Sequence, residues 1–336
     1  MIRKLALLAL CLASIVIVLG AYVRLADAGL GCPDWPGCYG QLSPHHAAEQ
    51  IAAAVEQAPH GPVSMAKAWK EMGHRYLAAS LGLLIIAIAW LAWRTRRRGE
   101  VPLLPLALVA VVIFQGLLGK WTVTLLLKPA IVTGHLIGGL ATAALLALLL
   151  WRESRVPRVT VPLGAARLAQ VAFALLAVQI VLGGWTSTNY AALACSDLPT
   201  CQGQWWPPTD FANAFHVVRE LGMTADGDLL SQAALTAIHL THRIGAVVVT
   251  AVVLLLVAVL LRRPATRLLG CLLGGGFLLQ ISLGLANVAL SLPLPVAVGH
   301  NAGALLLVLL MVRVNYVLRP VAQAVVLRRT HEKLVA

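Results

Sequence analysis

Charge is what this chain has least of, and acid is the scarcest part of it. Only 12% of its 336 residues are charged, with 13 Asp and Glu against 26 Lys and Arg. A water-soluble domain carries about 25%, so the composition excludes an ordinary soluble globule. The shortage of acids also speaks against a carboxylate di-iron centre, which draws carboxylates from several helices of a bundle. Apolar and polar residues do not alternate with a period of two, which removes a sheet-based fold. Clearly broken apolar segments, the mark of many repeat-built transporters, are missing as well.

What is present is hydrophobic length. Eight apolar stretches lie near 5–24, 72–93, 103–125, 130–151, 166–188, 233–261, 268–290 and 296–318. Each approaches the roughly 20 residues a helix needs to cross a bilayer. The expected fold is therefore an all-α polytopic membrane protein with eight transmembrane helices. The first stretch is read as a retained helix. Its apolar run exceeds the usual 7–15 residues of a signal peptide, and its end aligns with an internal span.

The net charge of +13 is a topology signal and does not point to nucleic acid. Basic residues cluster at Arg3 and Lys4, at Arg94, Arg96, Arg97 and Arg98, and at Arg152, Arg155, Arg158 and Arg167. Further clusters are Arg262, Arg263 and Arg267, then Arg319, Arg328, Arg329 and Lys333. These fall on alternate loops. The positive-inside rule then puts both termini in the cytoplasm and the cysteine-bearing loops outside.

The chain also repeats itself. IVLGAYVRLADAGLGCPDWPGCYG (17–40) aligns without a gap with IVLGGWTSTNYAALACSDLPTCQG (180–203), and EMGHR (71–75) with HLTHR (239–243). Gln115, Gly119, Gly134, His135 and Gly138 recur as Gln280, Gly284, Gly299, His300 and Gly303. A repeat this long implies two copies of one unit. The expected organisation is two four-helix halves, 1–155 and 165–336, with equivalent helices parallel. They would be related by a pseudo-two-fold axis along the membrane normal.

Each copy carries two histidines near the outer ends of spans: His74 and His135, then His242 and His300. Ionisable groups at such depth are functional by default. A flat cofactor between two helices takes one axial imidazole from each, as haem does. Arg75 and Arg243 follow the first histidine of each pair, and guanidinium groups there suit haem propionates. The halves differ at one telling position. Glu71 stands three residues before His74, on the same helix face, whereas His239 stands before His242. Glu71 is the candidate proton-handling carboxylate, with a salt bridge to Lys67, Lys70 or Arg75 as its plainer reading. Glu71, His74 and His135 also have the composition of a two-histidine, one-carboxylate iron site. That reading leaves the second half binding a different metal. Of six cysteines, Cys11 and Cys271 sit in apolar spans and read as packing residues. Cys32/Cys38 and Cys195/Cys201 lie in the outer loops, where such pairs form disulfides, either as staples or as redox partners.

EMGHR, TGH and VGH, the HR of HLTHR and the doubled C-x5-C-x-G loops closely resemble the haem A synthase family of bacteria and mitochondria. The resemblance covers nearly the whole chain. It implies an eight-span oxidoreductase of the bacterial inner membrane that oxidises a methyl group of haem O to the formyl group of haem A, for cytochrome oxidase assembly. By the same resemblance, His74 and His135 bracket the substrate haem, Glu71 is the catalytic carboxylate, and His242 and His300 ligate a haem b cofactor. His239 is a second candidate ligand. Haem O synthase is the implied supplier of substrate, and the electron donor is unread. The competing class is a non-catalytic di-haem electron carrier, which has no need of a carboxylate in one half only.

Overall fold

The computed structural model describes residues 1–97 and 100–321. Arg98, Arg328, Arg329 and Lys333 lie outside the described residues. In chain order the helices are α1 (Ile2–Leu25), α2 (Ala48–Gln57), α3 (Met65–Thr95), α4 (Leu103–Thr124), α5 (Pro129–Glu153), α6 (Leu163–Thr188), α7 (Phe211–Ala214), α8 (Gln232–Leu261), α9 (Pro264–Ala289) and α10 (Leu294–Val317). Eight of these, all except α2 and α7, are long and apolar enough to cross a membrane.

The helix starts follow local chemistry. Ser64 caps α3 by accepting from Lys67 N–H at 3.2 Å, and Ser231 caps α8 by accepting from Ala234 N–H at 3.1 Å. These hydroxyls satisfy donors that the first helical turn leaves free. Because of the cap, α3 begins seven residues before the start expected from hydropathy at 72. Glu71 therefore sits inside the helix, on the turn that precedes His74. Proline opens α5 and α9, where its missing N–H costs nothing.

Helices α1, α3, α4 and α5 pack on one another, and so do α6, α8, α9 and α10. The first group buries Ala6, Ala9, Ala13, Leu81, Ile85, Leu108 and Leu146. The second buries Ala169, Leu176, Val253, Leu256, Leu273, Leu307 and Met311. Small residues recur at both centres, as they must where lipid competes with side chains for apolar contact and close approach gives the attraction. The groups meet through α5 with α6 and α10, and through α1 with α10. Leu140, Ala143 and Leu305 are buried at that seam.

Three features depart from expectation. Residues Val159–Val161 and Leu318–Pro320 form a short parallel strand pair, β1 and β2, joining the basic linker to the end of α10. Three residues held by main-chain pairing leave no period-two pattern to read. The first cysteine-bearing loop contains α2, which buries only Ile51. Cys11 and Cys271 are exposed on their helices and do not pack in the core. A spanning helix is apolar on every side, so composition cannot tell its lipid face from its inner face.

Candidate haem site and the cysteine loops

Helix starts fix the histidines at matching depths. His135 lies six residues after Pro129, which opens α5, and His300 lies six after Leu294, which opens α10. His74 and His242 lie one turn further into their own helices, α3 and α8. The structure brings His74 and His135 together with ring centroids 6.5 Å apart. His242 and His300 are likewise electrostatic neighbours.

Each ring rests against a glycine of the adjoining helix. A Cβ added at Gly20 would stand 2.8 Å from His74 Cε1, and one at Gly183 3.0 Å from His242 Cε1. For Gly119 and His135 the distance is 3.5 Å, and for Gly284 and His300 it is 3.1 Å. Any larger residue at Gly20 or Gly183 would displace the ring. Gly20 matches Gly183 and Gly119 matches Gly284 in the two repeats. The four rings are therefore seated by one device.

Glu71 and His239 occupy matching positions and do the same structural task. Glu71 is buried, with 4% of its surface exposed. Its Oε2 accepts the Cys32 N–H at 2.9 Å, and its Oε1 accepts from Arg75 Nη2 at 2.5 Å. In the second loop the Cys195 N–H approaches His239 Nδ1 at 3.2 Å, and Arg243 Nε approaches His239 Nε2 at 3.2 Å. Both contacts to His239 come from donors, and a neutral imidazole has one acceptor nitrogen only. His239 is thus turned to the loop, which leaves His242 as the residue facing His300.

Arg75 and Arg243, expected at haem propionates, have other partners. Arg75 Nη1 donates to the carbonyls of Asp34 at 2.8 Å and Gly37 at 2.7 Å. Arg243 donates to those of Asp197 at 2.9 Å, Thr200 at 2.8 Å and Cys195 at 2.7 Å. Both arginines are thus engaged by the carbonyls of their own loops. Each loop is closed by a disulfide, Cys32–Cys38 and Cys195–Cys201, with Cα atoms 4.9 and 4.6 Å apart. An aspartate organises each one. Asp34 accepts from Tyr39 N–H at 2.6 Å and Gly40 N–H at 2.7 Å, and Asp197 from Gln202 N–H at 2.6 Å and Gly203 N–H at 3.0 Å. Gly40 and Gly203 both sit at φ 72°, where an L side chain is strained. The aspartates escaped the sequence reading, although the alignment of CPDWPGCYG with CSDLPTCQG carries the signal.

The set of donors fits a haem better than a bare ion. The His74 and His135 rings, with centroids 6.5 Å apart on facing helices, present one imidazole from each side of a shared gap, the arrangement a flat haem takes between two helices. His74 Nδ1 and His300 Nδ1 are buried without a hydrogen-bond partner, a state that costs free energy unless something else engages the ring. Among the described residues no three His, Cys, Asp or Glu are grouped to hold a metal ion. Glu71 in particular is committed to Cys32 and Arg75, away from a shared centre with His74 and His135.

Eight spanning helices with facing histidine pairs define a polytopic membrane protein whose helices present imidazoles in twos. The chain belongs to the cytochrome oxidase assembly protein family, COX15-CtaA, whose family model matches residues 3–312. It is 44% identical over 308 residues to a protein of Shewanella oneidensis named Heme A synthase, covering 90% of this chain and 92% of that one. A Heme A synthase of Methylobacterium radiotolerans is 30% identical, covering 86% of this chain and 82% of its own. One from Halalkalibacterium halodurans is also 30% identical, covering 57% and 61%.

Proposed function

We propose that this protein is a haem A synthase. It would oxidise the methyl group of haem O to a formyl group, a change that replaces two C–H bonds by C=O and supplies haem A for cytochrome oxidase. The observation that carries this reading is the paired seating of four histidines, together with the 44% identity to a named haem A synthase over nine-tenths of the chain. His74 and His135 would hold haem O in the half formed by residues 1–155. His242 and His300 would hold haem b in the half formed by 165–336. When bound, haem b supplies an iron that passes single electrons.

The chain's own residues do the rest. His74 and His135 orient the macrocycle between α3 and α5. Glu71 stands three residues from His74, so its carboxyl oxygens would take a proton released near the substrate, while Arg75 and the Cys32 N–H hold the carboxyl group in place. The second half has His239 in its place and is suited to electron transfer. The halves would be related by a two-fold axis along the membrane normal. Arginine clusters at Arg94 and Arg96, at Arg152, Arg155 and Arg158, and at Arg262 and Arg263 support a bacterial inner membrane setting. Both termini would be cytoplasmic and the cysteine loops periplasmic. An enzyme that makes haem O, a haem O synthase, must supply the substrate.

Co-expression with a haem O synthase, followed by analysis of extracted haems, tests the reading. Haem A formed alongside haem b supports it. Haem b alone, with haem O left unconverted by a well-expressed protein, overturns it in favour of a di-haem electron carrier.

A further inference from the structure

The helix faces that lead outward from His74 and His242 are covered differently. In α8 the row outward from His242 is Ile238, Ala237 and Ala234. All three are buried, together with Trp185 of α6 and Ala214 of α7. Trp185 Nε1 donates to the Ala214 carbonyl at 2.9 Å, which ties α7 down over that row. Arg219 holds the same cover from the side. Its guanidinium stands 5.5 Å from the Trp185 ring centre. It donates to Asn189 Oδ1 at 2.6 Å, to the His216 carbonyl at 3.1 Å and to the Met223 carbonyl at 2.8 Å.

In α3 the matching row is Lys70, Trp69 and Ala66, and α7 has no counterpart there. Ala66 and Trp69 are exposed and Lys70 is partly exposed, whereas Ile238 in the place of Lys70 is only 1% exposed. The short helix of the first loop, α2, packs elsewhere. Its Ile51 is buried with Ala68 and Met72, which stand two residues before Lys70 and His74 and so face away from them. Tyr22 of α1 takes the place of Trp185, and the Lys70 ammonium stands 5.0 Å over its ring. Two residues before Tyr22 is Gly20, which seats His74. Lys70 lies four residues before His74 on the same helix face, about 6 Å further out along the axis. Glu71, a candidate partner of Lys70 from the sequence, pairs with Arg75 instead. Among the described residues no carboxylate pairs with Lys70.

Resting on the haem reading, we propose that this uncovered row is the port of the first-half site, and that Lys70 receives a propionate of the substrate haem there. A substrate must enter and its product leave, whereas a resident cofactor is retained by a cover. The two rows differ in that sense. The Tyr22 ring holds the ammonium on the His74 side of α3, so an arriving carboxylate meets a cation already in place. Their contact is a charge-assisted hydrogen bond. Ile238 has no donor to offer, so the contact belongs to the first half alone.

The test uses full-length protein carrying its haem b, purified from cells that lack haem O synthase. It is titrated with haem O and with haem O whose propionates are esterified. The unaltered protein should bind the ester about 10-fold more weakly, the order of one hydrogen bond to a charged group. Lys70→Met should weaken binding of the free acid by about 10-fold and leave binding of the ester unchanged. Lys70→Arg should keep the affinity for the free acid, since a guanidinium also pairs with a carboxylate. Haem b content should stay constant throughout, which reports an intact fold. Equal affinities of the unaltered protein for acid and ester overturn the proposal without recourse to any variant. A Lys70→Met protein that binds haem O as tightly as the unaltered one, or that loses acid and ester alike, also overturns it. Unaltered protein that binds neither form fails at the earlier step and overturns the haem reading itself.

Discussion

The two cysteine loops are built alike around different anchors. In both, a disulfide closes the ring, an aspartate gathers two main-chain donors, and an arginine reaches in to carbonyls at equivalent positions. Only the anchor changes: an acid in the first loop, an imidazole in the second. Either residue accepts the first cysteine's N–H and contacts the arginine four residues on. A neutral anchor is therefore enough to dock the loop. The acid in the first half adds an ion pair with Arg75, and under the proposed function it also adds proton transfer. The difference was legible as a single mismatch between EMGHR and HLTHR. Its structural half, the shared docking task, was not.

The largest expected effect separates the histidine pairs. His242→Ala or His300→Ala removes one of two protein bonds to the proposed haem b and should strip most of its absorbance. His74→Ala or His135→Ala should leave haem b in place and stop haem A formation. Pyridine haemochrome spectra of the four variants decide this. Loss of haem b from His74→Ala together with its retention in His242→Ala would reverse the assignment of the halves.

Glu71 can be changed in a way that isolates its chemistry from its docking. Glu71→His gives the first loop the anchor of the second. The Cys32–Cys38 loop should stay docked, read as unchanged protection of its main-chain amides from hydrogen exchange. Haem A formation should nonetheless fall by about 10²- to 10⁴-fold, the usual contribution of a positioned proton-transfer group. Retained activity in a docked Glu71→His protein would sink the catalytic role and leave Glu71 a loop anchor.

The arginines should differ in the same direction. Arg75→Ala leaves a buried carboxyl group without its cation, a type of loss that costs about 3–5 kcal/mol. Arg243→Ala leaves a histidine and orphaned carbonyls, at about 1–3 kcal/mol for the unpaired groups. Thermal unfolding of the two variants, with loop proteolysis as a local probe, should rank Arg75→Ala as the more damaging. Equal losses would mean that the anchors are energetically equivalent.

Legibility followed the length scale of each signal. Eight spans, two cysteine pairs and four histidines were readable because each rests on a long run or on two copies in register. The cover that α7 lays over α8 was not, because a helix of four residues leaves no periodic run and has no second copy. The arginines' loop contacts were hidden for another reason. A guanidinium beside a histidine suits a propionate and a loop carbonyl equally, and only the fold shows which oxygens arrive. Ser64 hid in the same way. A single hydroxyl, outside the apolar run, decides that α3 begins early enough to carry Glu71 on its inner face.

The smallest expected effect concerns the loop aspartates. The Thr200 hydroxyl, donating to Asp197 Oδ2 at 2.5 Å, leads the contacts that lower the Asp197 pKa to about 2 from 3.8, followed by the Gly203 N–H. A carboxyl group lowered by folding supports the folded loop fully above its ordinary pKa, and this support is lost as pH falls through the folded value. The ordering of Gln202 and Gly203 by Asp197 should therefore be constant from neutral pH down to about pH 4 and fade toward pH 2. The first loop has Gly37 where the second has Thr200, so Asp34 accepts no such hydroxyl. Thr200→Gly copies that arrangement. It should move the titration of Asp197 upward toward its ordinary value, with loop order fading at correspondingly higher pH, as read by carboxyl NMR titration. An unmoved titration would mean that the main-chain donors at Gln202 and Gly203 set the Asp197 pKa by themselves. The hydroxyl would then be incidental to the difference between the loops.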